Sequence, residues 1–290
     1  MYYSNNDDKV PLGIVTCIIE ILTLTAIATI VKFVSPNISV ITILFFRYIF
    51  CLPLLLIVGL SQRGKKFLQI NKKKTLIARI IIGITGLTSY FIAISLIGIG
   101  KTIALGQLMT IFITILAPFM LSERVEMKRW FAVVFGLIGS IIIINPEKSG
   151  WFNFGIFWGL NSAFFAALLN IYLRKLGNSD KPISTALWYN ISGALIFTLV
   201  FTISKEELPH NFNTWLILIS CGILSSIQQF LLAFSRSLAP AIILAPFQYL
   251  SIPFAFFVGI YFFNEDLGLN FIMGTIIIIS ATFYLSIKKI

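Results

Sequence analysis

The sequence from Tyr90 to Asn145, YFIAISLIGIGKTIALGQLMTIFITILAPFMLSERVEMKRWFAVVFGLIGSIIIIN, has a distant counterpart from Phe230 to Ile287, FLLAFSRSLAPAIILAPFQYLSIPFAFFVGIYFFNEDLGLNFIMGTIIIISATFYLSI. Each stretch reads as three apolar helices with a tight turn after Ala-x-Ser. Each also carries an acidic cap near its centre, Glu123 in the first and Glu265 in the second. The two stretches agree in hydropathy and in the placement of turn and cap residues, while their sequence identity is low. Internal symmetry of this kind is typical of secondary transporters.

Composition excludes a water-soluble protein. Of the 290 residues, 58% are hydrophobic and 11% are charged, whereas a soluble domain carries about 25% charged residues. The mean hydropathy is +0.95. A net charge of +11 would indicate a nucleic-acid partner in a soluble protein. Here we interpret the charge as topology information, and no nucleic-acid partner is predicted.

The apolar runs predict an all-α polytopic membrane protein. A helix needs about 20 apolar residues to cross a bilayer core of ~30 Å, and ten segments of the chain meet this requirement. The segments are 12–31, 38–60, 76–98, 102–121, 129–145, 151–173, 182–203, 213–235, 240–263 and 267–287.

Lysine and arginine positions predict the orientation, because these residues are enriched in cytoplasmic loops. With the N-terminus in the cytoplasm, 17 of the 22 lysines and arginines fall on the inner side, four fall outside, and Arg47 lies within segment two. The inner set includes Arg79, near the start of segment three, and Arg236, directly after segment eight. Both termini are therefore predicted to be cytoplasmic.

Ten segments in two related halves give a repeat unit of five helices. Because five is odd, the second half must be inserted upside down relative to the first. The predicted domains are a first repeat over residues 10–146 and a second over residues 151–288, joined by the link Pro146–Gly150. Inverted repeats provide two half-shells whose exchange of conformation opens a central site to either side of the membrane.

The sequence resembles the EamA branch of the drug/metabolite transporter superfamily over its whole length, as two EamA units. The resemblance rests on the ten helices, on Arg47–Phe50 in segment two, and on the endings Leu-Ser-Glu…Arg-Trp and Phe-Asn-Glu…Gly. Residues 245–250, APFQYL, are similar to the ninth helix of a sub-branch that includes S-adenosylmethionine uptake carriers. Family members often have a proline near the middle of helix four, whereas here Pro118 lies nearer the cytoplasmic end.

Two intramembrane charges are candidate functional residues. Glu20 lies about 12 Å along segment one from its inner end, where an uncompensated carboxylate costs at least ~2.5 kcal/mol. It would bind a cationic part of the substrate or take up a coupled proton, or it is simply paired with a neighbour. Arg47 would meet Glu20 or helix-end carbonyls, or bind a substrate carboxylate. Because the resemblance implies this arginine in members with different substrates, a structural role is favoured.

The resemblance also implies that helices one, three, four, six, eight and nine line the cavity. Their polar and aromatic side chains are candidate substrate-binding residues together with Glu20. Amides would suit a zwitterionic or heterocyclic solute without a charge penalty, and the tryptophan would stack on a solute or contact a cation. Interhelical hydrogen bonding or plain packing is the alternative for each. The candidates are Tyr90, Gln107, Trp158, Asn161, Gln228 and Gln248.

These features favour a secondary transporter that moves a small polar organic metabolite by alternating access. Glu20 and the sub-branch similarity favour a cationic or zwitterionic solute such as S-adenosylmethionine or an amino acid. The alternative is a proton-coupled exporter of amino acids or toxic organic cations. The sequence contains no Walker motif, so direct use of ATP is not predicted. It contains no charge ring or filter loop either, so a channel is not predicted. An enzyme is not predicted, since the single histidine, His210, has no partner cluster.

The predicted partners are a small-molecule substrate and the lipid bilayer, with protons as the candidate coupling ion. No cofactor or metal site is predicted, because the three cysteines lie in apolar runs without metal-ligand spacing. The predicted location is the cytoplasmic (inner) membrane. The oligomeric state is not readable from the sequence, and a homodimer stays open.

Overall fold

Apolar α-helices build the described part of the chain. This computed structural model describes residues 10–121, 127–144, 153–177, 179–239, 244, 247–265 and 267–287. Within these ranges there are eleven α-helices and no β-strand. The helices are α1 (Val10–Val34), α2 (Val40–Arg63), α3 (Lys73–Ile97), α4 (Ile99–Gly106), α5 (Met109–Leu121), α6 (Met127–Ile144), α7 (Phe154–Gly177), α8 (Pro182–Ile203), α9 (Phe212–Leu238), α10 (Ser251–Phe263) and α11 (Leu269–Ile287).

Length and hydropathy identify membrane spans among these helices. Seven stretches of the described residues are long and apolar enough to cross a bilayer, and three shorter apolar stretches lie at Val134–Ile143, Ser251–Phe263 and Leu269–Ala281. The described part is therefore all-α and of the multi-pass membrane type, as composition predicts. Ten spans and two cytoplasmic termini stay predictions.

The surface of α8 shows the environment for which the helices are built. Leu195, Leu199 and Ile203 are 61–71% exposed, and their spacing of four residues places them on one face of the helix. An apolar stripe of this exposure is expected where a helix meets lipid rather than water.

Segment four is not one continuous helix. It is divided into α4 and α5 by a tight turn, in which Gln107 N donates to Ala104 O at 3.2 Å and Leu108 N donates to Leu105 O at 3.0 Å. These i→i+3 bonds are those of a 3₁₀ turn, and Gly106, a weak helix former, comes directly before it. The chain thus changes helical geometry here without the mid-helix proline that the resemblance implies.

Two compact units share the chain. The first unit comprises Met1–Ile84 and Tyr172–Gln248, and the second comprises Thr85–Ile171 and Tyr249–Ile290. In the first unit, α1 packs along α9, and α2 packs against both α8 and α9. Its apolar core includes Cys17 with Ile21 on α1 and Cys51 with Leu55 on α2.

The second unit is built around two helix pairs, α6 with α11 and α4 with α10. A β-carbon added to Gly139 on α6 would lie 2.8 Å from the carbonyl oxygen of Gly274 on α11, so the two backbones touch. Small residues at a helix contact permit a close approach of this kind. Pro253 lies in the first turn of α10, where a missing N–H costs nothing, so it does not form the mid-helix hinge that a proline there would favour.

Glu265 contributes to the ends of two helices. As the sequence predicts, it closes its own helix: α10 ends at Phe263, Asn264 follows in the left-handed region with φ 48°, and Glu265 N donates to Gly259 O at 2.9 Å. Its carboxylate also accepts hydrogen bonds from Ile99 N at 2.7 Å and Gly100 N at 3.0 Å, the first amides of α4. A carboxylate stabilises a helix N-terminus by satisfying free N–H groups and by opposing the helix dipole.

Candidate functional site

The candidate site in the first unit contains a buried carboxylate, Glu20, which forms an ion pair. Glu20, on the otherwise apolar α1, is 2% exposed. Its Oε2 accepts a hydrogen bond from Arg236 Nη1 at 3.1 Å, and its Oε1 accepts one from Gln228 Nε2 at 3.2 Å. Both partners lie on α9, which packs along α1. Glu20 is therefore a paired charge rather than an isolated one.

The hydrogen-bonded path continues from α9 to α3. Gln229 Nε2 donates to Gln228 Oε1 at 3.0 Å, and Arg79 Nη2 donates to Gln229 Oε1 at 3.3 Å. Each amide thus accepts on its carbonyl side and donates on its nitrogen side, which gives the path a single direction. Arg79 is 1% exposed, so the path ends on a second buried cation.

Aromatic rings surround the arginines of α2 and α3. Arg79 Cζ lies 4.0 Å from the centroid of the Tyr189 ring, and Arg47 Cζ lies 4.5 Å from the centroid of Tyr48 and 5.9 Å from that of Tyr189. Tyr48 Oη donates to Tyr189 Oη at 2.9 Å, and Tyr189 Oη donates to the Gly83 carbonyl at 3.3 Å. Contacts of this kind between a cation and an aromatic ring contribute about 0.5–2 kcal/mol each.

We refer to the whole set as the buried polar chain. It draws on five helices of the first unit, α1, α2, α3, α8 and α9, and its charges are three guanidinium groups and one carboxylate. The members of the buried polar chain are Arg236, Glu20, Gln228, Gln229, Arg79, Tyr189, Tyr48 and Arg47.

Arg47 and Arg79 both keep unused hydrogen-bond donors. Among the residues that the structure describes, no acceptor is bonded to Nε or Nη1 of Arg47, or to Nε or Nη1 of Arg79. Arg47 is 1% exposed, like Arg79. Of the three alternatives that the sequence leaves open for Arg47, contact with Glu20 is not the one found, because the Glu20 carboxylate is bound by Arg236 and Gln228.

The remaining predicted site residues are distributed over both units. In the first unit, Gln248 Nε2 donates to Cys17 Sγ at 3.4 Å. In the second unit, Gln107 Nε2 donates to Ser251 Oγ at 3.1 Å, and Asn161 Oδ1 accepts a bond from Ser89 Oγ at 2.9 Å. These contacts are the interhelical hydrogen bonds that sequence reasoning gives as the alternative to substrate binding.

The two aromatic candidates, Tyr90 on α3 and Trp158 on α7, also lie in the second unit. The Tyr90 ring is tilted against Phe91 at 6.3 Å, and the Trp158 ring meets Phe154 and Phe157 edge-on at 5.7 and 5.5 Å. Within the described ranges, Trp158 Nε1 is buried without an acceptor. Trp158 therefore packs as a hydrophobic side chain while it retains a donor.

Sequence reasoning missed the two arginines that complete the path. The charge pattern assigns Arg236 to an inner loop, whereas the residue lies in the last turn of α9 and binds Glu20. Its location on the inner side of the membrane stays a prediction. Arg79 is counted with the inner charges too, yet it lies within α3 and is buried. The signal that could have found them is their position, since Arg79 lies inside predicted segment three and Arg236 directly follows segment eight.

In a multi-pass helical architecture, charged side chains buried among apolar helices mark substrate and ion pathways. The chain belongs to the EamA-like transporter family, which it matches twice, over residues 11–145 and 153–287. Membership identifies the chain as a small-molecule transporter of the drug/metabolite type rather than an enzyme.

Relatives within this family carry different names. The chain is 28% identical to a riboflavin transporter of Vibrio cholerae over 207 residues, which cover 71% of this chain and 69% of the relative. It is 24% identical to an S-adenosylmethionine uptake transporter of Rickettsia bellii, with 88% and 86% covered. It is also 24% identical to the pseudopaline exporter CntI of Pseudomonas aeruginosa, with 97% and 98% covered. A solved crystal structure with 13% identity covers 96% of both chains at a TM-score of 0.67, which indicates a shared fold.

Proposed function

We propose that the protein is a secondary carrier in the cytoplasmic membrane that moves a small cationic or zwitterionic metabolite by alternating access. S-adenosylmethionine or an amino acid are the solutes we would test first. The single observation that carries this proposal is the buried polar chain, since membrane-buried charges mark substrate and ion pathways. An S-adenosylmethionine uptake transporter among the relatives supports the choice of solutes.

The proposed arrangement is ten helices in two inverted five-helix repeats, residues 10–146 and 151–288, with both termini cytoplasmic. The two separate family matches, at 11–145 and 153–287, support a repeated unit. The lysine and arginine distribution supports the orientation. Antiparallel repeats provide the two conformations that a carrier must exchange.

Glu20 is the proposed coupling residue. It is a carboxylate held between a cation and an amide, with Arg236 and Gln228 as its partners. A solute cation or a proton that reaches Glu20 would compete with Arg236 for the same oxygen atoms. Competition of this kind links occupancy of the site to the contact between α1 and α9. The candidates Tyr90, Gln107, Trp158, Asn161 and Gln248 remain proposed contributors to solute binding.

The test is uptake into proteoliposomes of purified protein, with labelled S-adenosylmethionine against a panel of labelled amino acids, each with and without an imposed proton gradient. Saturable uptake that the unlabelled solute competes away supports the carrier and names its substrate. Absence of uptake of every solute by folded protein contradicts the import proposal.

The second candidate is a proton-coupled exporter of amino acids or toxic organic cations. A relative named as an exporter, which matches nearly the full length of the chain, favours including it. Inside-out vesicles would distinguish export from import. A proton-coupled exporter should accumulate the same solutes in these vesicles when the imposed proton gradient is directed outward.

A further inference from the structure

We infer that Arg47 and Arg79 form the binding site for the carboxylate group of the transported solute, an inference that rests on the proposed carrier function. The guanidinium carbon of Arg79 lies 4.0 Å and that of Arg47 5.9 Å from the centroid of the same ring, Tyr189. Both side chains are 1% exposed. Two buried like charges that share one aromatic ring are stabilised by a compensating negative charge.

The tyrosines do not supply that charge. Both hydroxyl groups serve as hydrogen-bond donors, since Tyr189 Oη donates to the Gly83 carbonyl at 3.3 Å and Tyr48 Oη donates to Tyr189 Oη. The faces of both rings offer only the partial charge of the aromatic quadrupole.

The described carboxylates are also committed elsewhere. In the first unit, Asp180 accepts a bond from Ser179, Glu206 accepts one from Thr42, and Glu207 faces His210. Glu20 is bound by Arg236 and Gln228. The described acid of the second unit, Glu265, caps α4. Within the described ranges, then, every carboxylate has a partner other than Arg47 and Arg79.

The unused donors define the chemistry of the missing anion. Nε and Nη1 of both arginines are buried without an acceptor in the part of the chain that the structure describes. Planar guanidinium groups match the paired oxygen atoms of a carboxylate better than a spherical halide ion. A carboxylate between Arg47 and Arg79 would satisfy several of these donors and reduce the repulsion between the two cations.

The rest of the buried polar chain fits a zwitterion. The two glutamine amides, Gln228 and Gln229, lead from the arginine end to Glu20. A solute with a carboxylate and an ammonium or sulfonium group would find the anion site at one end and a carboxylate at the other. Because both arginines are buried in this conformation, loading requires that side chains of the first unit rearrange.

The first test measures thermal unfolding of the detergent-purified protein with sodium formate, sodium acetate and sodium chloride at equal concentrations. We expect formate and acetate to raise the midpoint temperature by about 3 °C when saturating, with a smaller effect of chloride. The test variants are Arg79→Met and Arg47→Met, since an apolar side chain of similar length is tolerated best where a buried charge is removed. Both should lose the carboxylate effect.

The matched control is Arg63→Gln. Arg63 is at the other end of α2, where it donates to Ser184 Oγ at 2.6 Å and to the Gln69 carbonyl at 3.3 Å. The control should keep the carboxylate effect. Equal stabilisation by chloride and formate would assign the site to a resident inorganic anion and overturn the inference. So would a carboxylate effect that survives in both methionine variants, or no anion effect on the folded wild type.

A second test separates this inference from the carrier proposal. Amino acids and their methyl esters, which lack the negative charge, compete for uptake of the labelled solute in proteoliposomes. We expect the ester to compete at least tenfold more weakly than the acid. Uptake with no preference for the acid would sink the anion site and leave the carrier standing. Arginine-dependent stabilisation by formate without any uptake would keep the anion site and sink the carrier.

Discussion

Glu20 and Arg236 form an ion pair across 216 residues of sequence, with Oε2 and Nη1 3.1 Å apart between α1 and α9. The arginine side chain is 15% exposed and the glutamate side chain 3% exposed, so the pair is almost dry. It joins one helix from each half of the sequence inside the first unit. A pair in this position holds α1 to α9 only while Glu20 has no better partner.

Substituting Arg236 and substituting Glu20 should destabilise the protein by different amounts. Arg236→Gln leaves a buried carboxylate without a counter-charge, which we expect to cost about 2–3 kcal/mol of unfolding free energy, below the usual 3–5 kcal/mol because Arg236 is partly exposed. The double variant Glu20→Gln with Arg236→Gln should recover most of the loss. Unfolding in mixed micelles at several denaturant concentrations measures the cycle, and additive single effects would contradict a direct pair.

Glu20→Gln alone tests the proposed coupling role. Glutamine keeps the shape and the contact to Gln228 but cannot exchange a proton. If Glu20 couples protons, the substitution should abolish gradient-driven accumulation while counterflow exchange of labelled for unlabelled solute continues. Loss of both activities in folded protein would exclude proton coupling at this residue and favour substrate binding instead.

Removing the cap on α4 should destabilise the second unit. Glu265→Gln retains only one of the two oxygen atoms that accept from Ile99 N and Gly100 N, and it loses the charge that opposes the dipole of α4. We expect a loss of about 1 kcal/mol. Glu265→Ala removes both contributions and should cost about 1–2 kcal/mol. Thermal unfolding in one detergent is the measurement, and Glu207→Ala, at an exposed carboxylate, is the control with no expected change.

Gly98 should tolerate no side chain. Its backbone lies at φ 84° and ψ 174°, a region that is reached almost only by glycine, and an added β-carbon would overlap the Glu265 carboxylate. Gly98→Ala should therefore cost about 1–3 kcal/mol. If the double variant Gly98→Ala with Glu265→Ala is no less stable than Glu265→Ala alone, backbone strain is not part of the cost.

The contact between α6 and α11 gives a prediction with a built-in comparison. Gly139→Ala places a methyl group 2.8 Å from the Gly274 carbonyl oxygen and should destabilise the protein by about 1–3 kcal/mol. The same substitution at Gly106, where an added β-carbon meets nothing within 4 Å, should be neutral or stabilising by up to about 1 kcal/mol. Equal effects at both glycines would mean that the close helix approach is not tight.

The sequence predicts the helices well because their cause is local. A run of about 20 apolar residues forms a spanning helix wherever it occurs, and Glu20 stands out as an acid within such a run. The family resemblance predicted from Arg47–Phe50 and the repeated endings is confirmed by the two family matches. The site residues as a group, and the ten-helix topology, stay predictions.

The partners of these residues depend on tertiary structure and could not be predicted. Glu265 reaches the amides of Ile99 and Gly100, more than 160 residues earlier, and no local pattern encodes that distance. The binding roles of Arg236 and Arg79 were missed because basic residues at helix ends usually indicate membrane topology, and both arginines were interpreted in that way. The break at Gln107 was missed because its only local signal is Gly106, which many helices tolerate.

In the ion pair between Glu20 and Arg236, the arginine is synthesised long after the glutamate. At roughly 5–20 residues per second, the ribosome needs on the order of ten seconds or more after making α1 to deliver the arginine that neutralises it. During that time the nascent chain contains neither Arg236 nor Gln228, the two partners of Glu20. Completion of the first unit is therefore a late event in biogenesis.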